Sequence, residues 1–112
     1  MIPDGIYHIV FTGSHGVGGQ GILTINNGSI NGGDFGYLYQ GYIKESNLKL
    51  TAQVGIFKFF DSAQSIFGPL EKFDLMLTGE ETGQHSFTLS GYVMDHPELE
   101  ISIKSFFLKD LV

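Results

Sequence analysis

Residues 13–34 read GSHGVGGQGILTINNGSINGGD, and two folds compete for them. From Gly16 to Gly21 the spacing is G-x-G-x-x-G. In a dinucleotide-binding domain that loop follows a strand, opens a helix and brings helix N-terminal amides to a pyrophosphate. Here the next residues, Ile22-Leu23-Thr24-Ile25, alternate as a strand does and run into Asn27-Gly28, a pair whose tolerance of positive φ suits a two-residue hairpin turn. No helix opens where a nucleotide loop requires one, and no Lys-Ser or Lys-Thr closes the run as in a P-loop. The glycines are therefore read as a hairpin loop, Gly13 to Gly19, that turns without steric cost.

The same period of two continues outward from this stretch, the mark of strands with one face buried. One face of YLYQGYIK carries Tyr37, Tyr39, Gly41 and Ile43. LKLTAQVGIF offers Leu48, Leu50, Ala52, Val54 and Ile56 against Lys49, Thr51 and Gln53. FDLML (Phe73, Leu75, Leu77), FTLSGYV (Phe87, Leu89, Gly91, Val93) and LEISIKSF (Leu99, Ile101, Ile103) repeat the pattern. GIYHIVFT is apolar on both faces, as expected of a strand covered outside by another segment or a second subunit. One segment, FFDSAQSIFGPLE, predicts a short helix capped by Asp61 or Ser62 and ended by Gly68-Pro69, apolar enough to plug one end of a closed sheet or form a subunit contact. About seven or eight strands joined by short turns predict an all-β, meandering antiparallel barrel with one short helix, since closure removes exposed edges. A sandwich is the fallback.

Bulk properties narrow the function. The 112 residues suit a single domain spanning 1–112. The absence of cysteine rules out disulfides, thiolate metal sites and cysteine nucleophiles, and fits a reducing compartment. The start lacks the basic, long apolar pattern of a secretory signal, and no apolar run approaches the ~20 residues of a membrane span, so a cytoplasmic location is expected. The formal charge is -6 and all six cations are Lys. That composition argues against direct nucleic-acid binding, which needs clustered cations and Arg forks, and favours a basic protein partner.

No catalytic, cofactor or metal site is expected. His8, His15, His85 and His96 fall in separate elements without H-x-H or H-x-x-x-H spacing. No G-x-S-x-G elbow supports a serine nucleophile. Glu80-Glu81, within TGEETGQ, reads as a solvated hairpin turn, Asp95-His96-Pro97-Glu98 as a turn between strands, and Asn27-Gly28-Ser29 as part of a hairpin rather than a glycosylation site.

With the strands placed, DGIYHIVF, GQGILTINNGSINGGD and YLYQGYI together resemble the GrlR family, negative regulators of type III secretion gene expression in Gram-negative enteric bacteria. The resemblance runs from Asp4 to about Ile43 through an Asp-Gly-Ile-Tyr start, a Gly-rich hairpin, a Gly-Gly-Asp and a Tyr-Gln-Gly in the same order. It implies a lipocalin-like (calycin-like) barrel, a homodimer, no enzymatic activity, and regulation by binding a helix-turn-helix transcriptional activator and blocking its DNA binding. In the family an exposed acidic run follows the Tyr-Gln-Gly strand; here that turn reads Lys44-Glu45-Ser46-Asn47 and only Glu45 keeps the charge. Those four residues, with Glu80 and Glu81 as a substitute acidic protrusion, are the candidate partner-binding residues. The alternative function is a binding module for a small apolar ligand, with Tyr37, Tyr39, Ile66, Phe67, Phe73 and Phe87 lining the interior; the bland reading is that these side chains fill it. Ile6, Val10 and the terminal FFLKDLV are candidates for covered outer surface in a dimer.

Overall fold

A computed structural model describes residues 2–83 and 85–112. Eight strands follow one another: β1 (Gly5–Gly13), β2 (Gly18–Asn26), β3 (Ser29–Gly33), β4 (Tyr37–Ser46), β5 (Lys49–Lys58), β6 (Lys72–Gly83), β7 (Ser86–Val93) and β8 (His96–Lys109). Each pairs antiparallel with the next, and β8 returns to β1, with Ile9 opposite Ser105, to close the barrel. The alternation fits this closure. Tyr7, Ile9, Leu23, Ile25, Tyr39, Ile43, Leu50, Val54, Leu75, Leu77, Leu89 and Ile103 all face a single buried core, which leaves each strand's polar set to the solvent.

The turns follow local chemistry. Between β2 and β3, Asn27 (φ 53°) and Gly28 (φ 85°) both take the left-handed conformation, as a two-residue hairpin that matches strand twist requires. Asn47 (φ 51°) and Leu48 (φ 69°) do the same between β4 and β5. Leu48 therefore does not continue the buried face of β5, as the alternation predicts; it sits at the turn, 79% exposed.

Two further expectations are corrected. No helix forms among the described residues. In the segment between β5 and β6, the Phe67 amide donates to Ser65 Oγ at 3.0 Å and the Gly68 amide to the Ser65 carbonyl at 3.0 Å. These local bonds close a tight turn and divert the amides a helix would use, and so short a helix has little to offset its nucleation cost. The segment still plugs the barrel end, since Ala63 and Phe67 are buried in the core and Phe59 donates its amide to the Gly36 carbonyl at 2.9 Å. Glu80 and Glu81 are not in a turn: they belong to β6, opposite Thr88 and Phe87. Of the TGEETGQ stretch, Gln84 lies outside the described residues.

Candidate functional site

The barrel encloses a cavity of about 580 Å³. Strand alternation supplies its walls: Ile9, Leu23, Val54, Leu75, Leu77, Leu89 and Ile103 line it, and Ile66 and Phe67 of the plug close one end. Phe67 meets Phe73 edge-on, with ring centroids 5.7 Å apart. Tyr37, Tyr39, Ile66, Phe67, Phe73 and Phe87 all line this space, so residues scattered along the chain share one surface. Exposed Val17 and Phe35 also line it, which brings the cavity to the surface at the plug end.

The glycines of the opening stretch shape this interior. A Cβ on Gly21 would lie 2.7 Å from the Tyr39 hydroxyl, and one on Gly19 would lie 2.8 Å from the end of the Phe11 ring. Two bare positions on β2 thus receive two aromatic rings, and neither glycine meets a phosphate-binding helix.

Polar groups are few and uneven. Asp34 organises the β3–β4 connection: one carboxylate oxygen accepts the Gly36 amide (3.0 Å) and the Tyr37 amide (2.9 Å), and the other accepts the Tyr39 hydroxyl. Burial first, then the bond to Asp34, raises the Tyr39 phenol well above its ordinary range. Outside the cavity lining, the Tyr7 hydroxyl donates to the Pro3 carbonyl at 2.6 Å. Tyr37 and Ser105 differ from both. Their hydroxyl oxygens are buried and have no hydrogen-bond partner, and both residues line the cavity. An unpaired buried hydroxyl costs about 1–3 kcal/mol, and Phe or Ala in these places would avoid that cost.

The candidate partner-binding residues sit at the end opposite the plug. Lys44, Glu45 and Ser46 end β4, Asn47 begins the turn, and β5 joins them to β6, with Lys49 opposite Glu80 and Glu45 opposite Leu50. The fold thus gathers Lys44–Asn47 and Glu80-Glu81 on neighbouring strand ends. Lysines are interleaved among them, and Glu45 accepts the Ile2 amide at 3.2 Å. The larger acidic surplus lies elsewhere. Asp61, Glu71, Asp74, Asp95, Glu98 and Glu100 are exposed at or near the plug end, where Lys58 and Lys72 are the nearby cations and Phe35 (74% exposed), Phe59 and Phe60 face outward.

An apolar row crosses the outside of the barrel. Phe106 stands opposite His8, His8 opposite Ile22, Ile22 opposite Gly33, Gly33 opposite Leu38, and Leu38 opposite Phe57, so the row spans β8 and β1 through β5. Phe106, Ile22, Leu38 and Phe57 are exposed, with Val10 and Leu108 beside them. Of the outer-surface candidates Ile6, Val10 and FFLKDLV, Val10, Phe106 and Leu108 are exposed, whereas Ile6 is half-buried and Phe107 packs against the core. Ile22, Leu38 and Phe57 join the row only through the register, and sequence reasoning missed them.

Among the described residues no three His, Asp or Glu side chains gather as a metal site, and no helix is long and apolar enough to cross a membrane. No protein-family model matches the chain, and no curated protein matches it significantly.

Proposed function

We propose that this protein is a non-enzymatic, cytoplasmic negative regulator with a lipocalin-like barrel, acting by protein contact on a helix-turn-helix activator and blocking its DNA binding, as the resemblance to GrlR proteins implies. The observation that supports a basic partner is the segregation of charge: exposed carboxylates from several loops and strand ends share the plug end with its outward aromatics. Such a surface competes with phosphates for a regulator's cations, while Phe35, Phe59 and Phe60 supply apolar contact. The plug end thus joins Lys44–Asn47 and Glu80-Glu81 as a docking candidate. The row from Phe106 to Phe57 suits a second copy of the chain, since an apolar band of this extent marks interaction surface.

Affinity capture from the native bacterium, followed by band-shift assays of any recovered helix-turn-helix regulator on its promoter, tests the proposal. The expected result is release of the regulator from DNA on addition of this protein. Recovery only of regulators whose DNA binding is undisturbed removes it.

A second reading rests on the cavity. A space of about 580 Å³ with largely apolar walls falls within the ~300–1,000 Å³ of small-molecule sites, so we propose that the barrel also takes a small, mainly apolar ligand.

A further inference from the structure

We infer that the interior ligand is a neutral amphiphile, an apolar chain bearing a hydroxyl or carbonyl oxygen, rather than a hydrocarbon or a fatty-acid anion. This inference rests on the cavity-binding reading above and specifies its chemistry.

The first observation is the pair of unpartnered hydroxyls. Tyr37 is 6% exposed and Ser105 1% exposed; both oxygens are fully enclosed, and both residues line the cavity. They are set apart from the other buried phenols, because Tyr7 bonds to Pro3 and Tyr39 to Asp34. Ser105 also breaks the pattern of its strand, where the neighbouring inward positions are Ile101, Ile103 and Phe107. A hydroxyl among such neighbours, beside Ile9 and Phe87 in the register, contributes nothing to packing that Ala would not. Both groups can donate to a ligand oxygen, and both can accept from a ligand hydroxyl.

The second observation concerns charge. Among the described residues that line the cavity none is Lys, Arg or His, and the one charged group is Asp34. Its oxygens are already held by Tyr39, Gly36 and Tyr37. A carboxylate brought into this interior would lose its water, find no cation and face a like charge. A neutral oxygen meets the two hydroxyls without that penalty. The two donors lie at different depths, Tyr37 opposite Lys58 near the plug and Ser105 opposite Ile9 at the middle of β1, so a ligand oxygen can be met near the mouth or deeper in.

Displacement of the neutral fluorophore N-phenyl-1-naphthylamine by decan-1-ol, sodium decanoate and decane, at neutral pH, tests this. Decan-1-ol is expected to displace the dye at least about tenfold more tightly than decanoate. Tyr37→Phe, Ser105→Ala or their combination is expected to weaken decan-1-ol by about two- to tenfold, the range of one neutral hydrogen bond, and to leave decane unchanged. Melting temperatures of the unliganded variants, expected to be no lower than that of the parent, show that they fold. Decanoate binding as tightly as the alcohol overturns the inference, as does an alcohol affinity that neither substitution nor their combination moves, while the cavity reading survives both. Failure of the dye and all three compounds to bind overturns the cavity reading itself, and this inference with it.

Discussion

The Tyr39 phenol lies over Gly21, where the hydroxyl oxygen would be 2.7 Å from any Cβ at that position. Gly21→Ala must therefore displace a buried ring and with it the bond that the Tyr39 hydroxyl donates to Asp34. We expect a loss of about 1–3 kcal/mol in urea denaturation, the range for overpacking combined with a disturbed buried hydrogen bond. A stability equal to the parent's would show that the ring is free to move.

Leu48 predicts the opposite sign. It holds φ 69° at a turn while its side chain is largely exposed, so it bears the left-handed penalty of a Cβ without burying its apolar surface. Leu48→Gly should stabilise the protein by about 0.5–1 kcal/mol, after allowing for the greater freedom glycine brings to the unfolded chain. Thermal and chemical denaturation should agree on that gain.

The Tyr7 phenol is pushed up to about 12, by burial first and then by the nearby carboxylates of Asp4 and Glu81. A phenol raised in the folded state favours folding fully below its unfolded value of about 10, and that contribution disappears as pH rises through the folded value. Stability should therefore fall between about pH 10 and 12 with a component that Tyr7→Phe removes. Melting curves of parent and variant across that window test this; parallel curves would remove Tyr7 as a source.

Charge on the outer apolar row should separate association from folding. Ile22→Glu and Phe106→Glu lie on exposed positions, so each is expected to change stability by less than about 1 kcal/mol while shifting a dimer toward monomer in sedimentation velocity. A parent that sediments as a monomer at micromolar concentration would remove the row as a self-association surface.

If the plug end holds a basic regulator, Asp61→Lys with Glu71→Lys should weaken binding more than Glu45→Lys with Glu80→Lys, and raising salt should weaken the parent complex. Fluorescence anisotropy with the captured regulator gives the comparison. The reverse order would place the contact on the β4–β6 strand ends.

What the sequence disclosed and what it hid have physical causes. Alternation in Leu50, Ala52, Val54 and Ile56, and the Asn27-Gly28 turn, are local signals, and they led directly to the meandering sheet. Leu48 was assigned to the wrong element because an alternating run does not mark where a turn borrows its first residue. Glu80 and Glu81 looked like a turn because they are polar and flanked by Thr and Gly; cross-strand pairing with Thr88 and Phe87 keeps them extended. The helix expected near residue 62 failed because Ser65 captured a local amide. The six proposed cavity residues were accessible from strand phase and apolar bulk. The unpartnered state of Tyr37 and Ser105, the empty positions at Gly19 and Gly21 and the outer row all depend on what stands across the barrel, which no window of sequence contains.

Among the described residues, seven of the eight strand pairings join neighbours in the chain, and only β1 with β8 spans its length. As the polypeptide emerges from the ribosome, hairpins can add one after another, yet the growing sheet keeps two unsatisfied margins until β8 arrives. Closure is thus the one late, entropically expensive event, and a nascent chain stalled before it would be the form most exposed to intermolecular strand pairing and chaperone capture.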